Sequence, residues 1–432
     1  MFQTTRREIK PFVNLTCLQT DKFKTGCLSV SLLFQLDRDT ASHHAILPKV
    51  LLRGTERLQD LEAIAAYRDE LYGARVEPVV RKKGEIQCTG FYADFVDDRF
   101  LPAGEAVLEK VASLLGELLL KPKMDGDQFV KSYVDGEREN LIEEIRGAIN
   151  EKRAYSIQRI MELMCDGEPF ATPSIGTEAE AQDITAEALT AHYRKFLPAA
   201  TIEIFYCGSA DDLRVEKALT EALADLPRTE PDYDMGTDIR MNARDPEPRY
   251  FTDEMDVTQG KLTMGFRLGP AMEEPNFAEL MLFNYLYGGS VNSKLFMNVR
   301  EKLSLAYFAS SVLEKFKGIM IVSSGIEFDK YDEAKSEILA QLEAVRNGAF
   351  AEGEVESARG SAVTDMLLSQ DSPYALSDFY LGQAILGLGE SPADFADMLK
   401  EVKVERCIEI AQGVELDAVY FLRAPEREGA VQ

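Results

Sequence analysis

The sequence is poor in the residues that usually carry metal chemistry. Only three histidines, His43, His44 and His192, occur among 432 residues, and there is no tryptophan. The six cysteines form no C-x-x-C pair, which argues against a zinc knuckle or disulfide framework and is typical of reduced thiols in a cytoplasmic protein. No apolar run approaches about eighteen residues, and no apolar segment follows the charged amino terminus. We therefore expect a cytoplasmic protein without a membrane span or secretory signal.

The charge balance is strongly acidic. Lysine and arginine total 48 against 74 aspartates and glutamates, a formal net charge of −26. Such a surface disfavours nucleic acid and anionic membranes as partners. The 45% apolar content and the length are sufficient for two or more cored domains.

The chain repeats itself at long range. An alternating apolar strand, a polar loop and an apolar helix that stops at glycine occur twice, and each half also has a helix with a tyrosine, Tyr155 or Tyr374. Three pairs of positions share an offset of 234 residues: Leu28 with Leu262, Gly54 with Gly288, and Leu71 with Leu305. The repeat predicts two homologous α+β domains, residues 1–225 and 251–432, joined by a proline-containing linker at 226–250. We expect each domain to hold a mainly antiparallel sheet with helices on one face.

Several segments occur in the order found in one peptidase family. They are residues 51–55 (LLRGT), 71–74 (LYGA), 137–145 (ERENLIEEI), 286–289 (LYGG) and 295–302 (LFMNVREK). In these segments the chain resembles the insulinase or pitrilysin family of zinc peptidases. The resemblance implies two related domains with sheets of about six strands, commonly paired with a second subunit around a chamber.

The family's H-x-x-E-H zinc motif is degenerate in this sequence. The matching positions are 45–49, where Ala45, Pro48 and Lys49 replace the two histidines and the glutamate. His43 and His44 do not restore the motif, because adjacent residues point about 100° apart on a helix and no carboxylate follows either at the required spacing. We expect no metal or other cofactor in this chain; the resemblance places zinc in a partner subunit.

Two carboxylates match the rest of the family's metal site. The resemblance makes Glu137 a helper carboxylate and Glu144 the third zinc ligand. The alternative is that both belong to a solvated helix face, and for metal binding we favour this alternative because a lone carboxylate pair is a poor zinc site.

Arg300 and Tyr307 match a pair that contacts the substrate backbone in this family. An arginine offers fixed N–H donors to a peptide carbonyl, and a tyrosine hydroxyl can stabilise a developing oxyanion. Alternatively, Arg300 pairs with an acid such as Glu301 or Asp365 and Tyr307 packs in the core. We favour the substrate-binding role, and we expect His192 to be an ordinary, partly exposed helix residue.

Three functions remain open. The favoured one is a catalytically inactive subunit that binds peptide and completes the active site of a zinc-motif-bearing paralogue in a heterodimer. The alternative is a homodimer that binds peptides or acts as a scaffold without proteolysis. The least favoured is an enzyme in its own right, using carboxylates among Glu137, Glu143 and Glu144.

Overall fold

The computed structural model describes residues 3–231 and 235–425. These residues form two compact units, and neither unit is one continuous stretch of chain. Unit 1 takes in the described residues of Met1–Arg146, Thr172–Gly236 and Gln370–Gly389, and unit 2 takes in the described residues of Gly147–Ala171, Thr237–Ser369 and Glu390–Gln432. The predicted domains, 1–225 and 251–432, are continuous stretches that follow the sequence repeat. In the structure, Gly147–Ala171 of the first half belongs to unit 2, and Gln370–Gly389 of the second half belongs to unit 1.

Unit 1 is built on a six-stranded sheet. Its strands are β1 (Gln3–Lys10), β2 (Val13–Gln19), β3 (Thr25–Gln35), β4 (Arg75–Lys83), β5 (Ile86–Val96) and β6 (Thr201–Gly208). They lie in the order β1-β2-β6-β3-β5-β4, and every neighbouring pair is antiparallel except β2 with β6.

Unit 2 repeats this topology with five strands among the described residues. They are β7 (Arg249–Glu254), β8 (Gly260–Arg267), β9 (Ala306–Glu314), β10 (Ile319–Ile326) and β11 (Glu415–Arg423). Their order, β7-β11-β8-β10-β9, matches β2-β6-β3-β5-β4 of unit 1, and again a single pair, β7 with β11, is parallel. The equivalent strand order confirms two related α+β folds with mainly antiparallel sheets.

Helices make up most of the remaining chain. They are α1 (Ala41–Leu51), α2 (Leu61–Glu70), α3 (Val107–Leu120), α4 (Lys131–Gly147), α5 (Lys152–Met164), α6 (Glu178–Gln182), α7 (Ala186–Ala199), α8 (Asp212–Ala222), α9 (Phe277–Tyr287), α10 (Tyr331–Arg346), α11 (Glu354–Leu368), α12 (Pro373–Leu386), α13 (Pro392–Glu401) and α14 (Val404–Gly413). Several begin at side-chain caps that the sequence encodes, such as Asp60 before α2 and Thr185 before α7.

The sheet of unit 1 has helices on both faces, whereas the sequence predicted helices on one face. Leu28, Val30 and Leu32 of β3 lie in the main core together with residues of α1 and α3. Cys27 and Leu33 alternate with them, point to the opposite face, and pack in clusters that include residues of α12. A helix from the second half of the sequence therefore completes unit 1.

The sheet of unit 2 is completed in the same way by α5, a helix from the first half. Ile160 and Met164 of α5 share a core cluster with Ile321 and Tyr420 of the sheet. Gly265 permits this close approach, since a Cβ there would lie 2.5 Å from the Met164 sulfur.

A buried charge network follows α5 in unit 2. The Arg267 guanidinium is fully buried and donates to Asp417 Oδ2 at 2.8 Å and to Glu168 Oε1 at 2.8 Å. The buried Lys317 ammonium lies 2.8 Å from Glu168 Oε2. Buried charges are stable only when they are paired. The network therefore fixes the residues after α5, which include Glu168, against Arg267 and Lys317.

In the part of the chain that the structure describes, every helix is too short or too polar to cross a bilayer.

Candidate functional site

The positions of the degenerate zinc motif lie on α1 in unit 1. Ala45 is fully buried, Pro48 lies buried inside the helix, and the Lys49 side chain is mostly covered. Pro48 removes a backbone hydrogen bond from α1, and the packing of α1 residues in the core of unit 1 offsets this loss.

The two carboxylates lie on α4, opposite cations supplied by α1 and the residues just after it. The Lys49 ammonium contacts Glu144 Oε2 at 2.5 Å. The Arg53 guanidinium donates to Glu137 Oε1 at 3.0 Å, and the Asn140 amide donates to the other oxygen of Glu137 at 3.2 Å. Both carboxylates are thus neutralised by side-chain cations, so Glu137 is part of a half-buried ion pair and does not belong to a solvated face.

These residues do not fit a zinc ion. Alanine and proline offer no side-chain donor, and the charged lysine ammonium has no lone pair to give to a metal. Glu144 is already bound to that ammonium. Within residues 3–231 and 235–425, no group of three or more His, Cys, Asp or Glu side chains is arranged to hold a metal ion.

All three histidines gather at one place in unit 1, which the sequence did not predict. The ring of His192, on α7, lies 5.2 Å from that of His43 and 4.6 Å from that of His44, centroid to centroid. The prediction of a partly exposed His192 is wrong, because only 9% of this residue is exposed. The 100° separation of His43 and His44 also did not prevent both from reaching His192.

Two members of this histidine cluster, His44 and His192, are neutral at physiological pH. His44 Nδ1 hydrogen-bonds to the Gln87 amide at 2.9 Å, whereas Nε2 of His44 and of His192 have no hydrogen-bond partner within the described residues. Burial lowers the pKa of His44 to about 3 and that of His192 to about 2, because an imidazolium would lose its hydration there. Such rings stabilise the fold by packing and are poorly suited to proton transfer near neutral pH.

Arg300 and Tyr307 lie close together in the chain in unit 2, on either side of a tight turn. Arg300 belongs to a wide π-type helix, Leu295–Lys302, and Tyr307 is the second residue of the edge strand β9. Ser304, between them, adopts a positive φ of 51°, and its N–H donates to the Arg300 carbonyl at 3.1 Å. Tyr307 is also the extra residue of a β-bulge. Wide helical turns, positive φ values and bulges all carry a local cost and are frequent at functional sites.

Both side chains face solvent. The Arg300 side chain is 41% exposed; its guanidinium lies 4.6 Å from the Phe296 ring centroid and 3.5 Å from Glu301. Tyr307 is 62% exposed, and its hydroxyl donates to Glu327, which raises the pKa of Tyr307. The alternative in which Tyr307 packs in the core is wrong, whereas the pairing of Arg300 with Glu301 is present.

Some of these features were not visible in the sequence. The pairing of Arg53 with Glu137 joins positions far apart in the chain, and the stacking of Arg300 on Phe296 depends on the π-type geometry of the helix. Only the spacing of Phe296 and Arg300, four residues apart on one helix face, could have indicated the second contact.

A duplicated α+β fold, with Ala45, Pro48 and Lys49 at the positions that the resemblance assigns to the zinc motif, is the fold expected of a metallopeptidase homologue without that motif. The family described as Peptidase M16 inactive domain matches residues 183–361. The chain is 34% identical over 411 residues to the probable inactive metalloprotease YmfF of Bacillus subtilis (strain 168), covering 95% of each protein. The chain therefore belongs to this family, the insulinase or pitrilysin peptidases and their homologues, and is a homologue of inactive members.

Two further relatives extend the comparison. A conserved protein from Enterococcus faecalis V583, of known crystal structure, is 26% identical and superimposes with a TM-score of 0.88, covering 99% of this chain and 100% of that one. The uncharacterized zinc protease YmxG of Bacillus subtilis (strain 168) is 23% identical over 167 residues, which cover 37% of this chain and 41% of that protein. The chain is thus similar to one protein described as probably inactive and to one described as a zinc protease.

Proposed function

We propose that this chain is the non-catalytic subunit of a two-subunit peptidase, which binds a peptide and completes the active site of a zinc-bearing partner. The observation that carries the proposal is the placement of Arg300 and Tyr307. The Tyr307 residue is exposed and the Arg300 side chain is 41% exposed. Arg300 lies in a π-type helix and Tyr307 in a β-bulge, and a turn with a positive φ at Ser304 lies between them. A purely structural role requires none of these features.

The metal-binding part of a peptidase site is not available in this chain. The cations Lys49 and Arg53 occupy the carboxylates that the family uses around its metal. Peptide cleavage then requires a metal from a second subunit. A relative described as a zinc protease and one described as inactive occur together in Bacillus subtilis (strain 168), which supports a division of labour.

The chemistry assigned to this chain is binding and polarisation. The Arg300 guanidinium offers N–H donors to a peptide carbonyl, and its stacking on Phe296 limits the entropy lost on binding. The Tyr307 hydroxyl now donates to Glu327; with substrate bound, it donates to the oxygen that gains negative charge in the partner's reaction.

The test is to mix the chain with a zinc-bearing relative from the same organism and to measure cleavage of an unstructured, quenched fluorescent peptide. Tyr307→Phe should lower kcat about 10²-fold, as expected for the loss of one oxyanion donor. Arg300→Ala should lower kcat/KM, and Arg300→Lys should restore only part of it, because a lysine lacks the planar pair of donors. Lys302→Ala, which removes an exposed charge from the same helical segment, is the matched control.

Equal cleavage by wild-type, Arg300→Ala and Tyr307→Phe complexes would refute the proposal. A chain that forms a stable dimer with itself and ignores every zinc-bearing relative would instead favour the self-dimerising peptide-binding or scaffold protein.

A further inference from the structure

A groove of about 790 Å³ lies in unit 2 beside the edge strand β9, whose second residue is Tyr307. It is lined by Gly288 and Gly289 after α9, by Ala309–Val312 of β9, and by one face of α11. β9 is an edge strand whose only neighbouring strand within the described residues is β10, and at its other side the Ser311 N–H donates to the Gly288 carbonyl at 2.9 Å. The groove therefore adjoins backbone groups that an extended peptide could pair with.

The lining of the groove has a distinctive chemistry. Six of its side chains carry a hydroxyl, and Asp365 is the only charged side chain among the described lining residues. Asp365 accepts a hydrogen bond from the Tyr285 hydroxyl at 2.7 Å through one oxygen, Oδ2. A carboxylate only accepts hydrogen bonds, whereas hydroxyl groups both accept and donate, so the groove can receive a ligand with several donors and Asp365 favours one with a positive charge.

The groove is connected to the site proposed above. Phe296 lines it and also carries the stacked Arg300 guanidinium. The lining residues of β9 follow Tyr307 by two to five positions, which is about 7 to 17 Å along an extended strand. One peptide lying along β9 would therefore reach both Tyr307 and the groove.

We propose that the groove binds a lysine or arginine side chain of the extended peptide, with Asp365 as its counter-charge. This inference rests on the proposed function and names the class of substrate. Two cations stand near the groove, and both are already engaged: Arg153 donates to Ser310 at 2.8 Å and stacks on Phe308, and Arg300 stacks on Phe296. The net charge of −26 attracts basic peptides over a longer range.

The test is binding of three labelled, unstructured peptides that differ at one position, which holds arginine, citrulline or glutamate. Citrulline keeps the shape of arginine without its charge. Fluorescence polarisation with the full chain should give about tenfold tighter binding of the arginine peptide than of the citrulline peptide, with the glutamate peptide weakest. Asp365→Asn should abolish this preference and leave the affinity for the citrulline peptide unchanged, since the shape of the groove and the Tyr285 contact persist.

A matched control is Glu356→Gln, which removes an exposed charge from the same helix outside the groove and should keep the preference. Equal binding of the arginine and citrulline peptides, or a preference that survives Asp365→Asn, would overturn the assignment of the groove while leaving peptide binding intact. No binding of any of the three peptides would overturn both proposals.

Discussion

The histidine cluster predicts that unit 1 loses stability in mild acid. His44 and His192 are neutral in the folded state, because burial lowers their pKa values to about 3 and about 2 from the ordinary value of 6.5. Below pH 6.5 these two histidines therefore bind protons in the unfolded chain but not in the folded chain. The free energy of unfolding falls as the pH falls. The effect is complete only when the pH approaches the lowered pKa values.

The magnitude follows from these pKa values. Each histidine costs about 1.4 kcal/mol at pH 5.5 relative to pH 7.5, so the pair costs about 3 kcal/mol. This is a large fraction of the stability of an ordinary domain. The pH interval avoids most carboxylate titration, since Asp and Glu ionise below it.

The measurement is urea unfolding of the wild-type chain and of His192→Phe at pH 7.5 and 5.5, followed by far-ultraviolet circular dichroism. Amide hydrogen exchange of α1 and α7 assigns the transition to unit 1. The phenyl ring keeps the contacts with His44 and Phe196 but does not titrate. His192→Phe should therefore lose only about half as much stability as wild type between the two pH values. Equal losses in the two proteins would refute the reasoning.

Three further predictions concern buried groups. Asp417→Asn leaves Arg267 short of a counter-charge in the core of unit 2, and should lower the free energy of unfolding by about 3 to 5 kcal/mol in urea denaturation; a loss below about 1 kcal/mol would contradict the pairing. Arg53→Ala removes the cation paired with the buried Glu137 carboxylate and should lower the free energy of unfolding by about 1 to 3 kcal/mol. Lys49→Ala should lower it by less than about 1 kcal/mol, because its partner Glu144 is half exposed. A larger loss for Lys49→Ala than for Arg53→Ala would be evidence against these two ion pairs. All six cysteines are buried, so a chromogenic thiol reagent should label the native chain far more slowly than the urea-unfolded chain, and rapid native labelling would contradict their burial.

The duplicated fold was predictable because both halves repeat the same local pattern. The alternation around Leu28 and Leu262 identifies equivalent strands, and Gly288 follows the end of α9 as the sequence indicates. Strand periodicity and helix stops are local signals, which neighbouring residues in the chain encode.

The exchange of helices was not predictable in the same way. The helices that carry Tyr155 and Tyr374 were recognised as equivalent, but the sequence did not show that each lies in the unit formed mainly by the other half. An apolar helix face predicts that the helix is buried, but it does not predict which sheet the helix packs against. That choice depends on packing between residues far apart in sequence.

The candidate site was predictable only in part. Tyr307 emerged from a matched motif, while its placement in a bulge depends on the register of β9 against β10. The neutralisation of Glu137 and Glu144 escaped detection because it joins α4 to cations from the region of α1. An ion pair between residues far apart in the chain produces no periodic pattern from which it could be predicted.

The central claim is that cationic side chains have replaced the metal at the carboxylates of α4. The most direct measurement is the zinc content of the purified wild-type chain after incubation with excess zinc and desalting, by mass spectrometry of the metal. The account predicts no stoichiometric zinc, and no change when Glu144 is replaced by Gln. One zinc ion per chain, lost in Glu144→Gln, would contradict it.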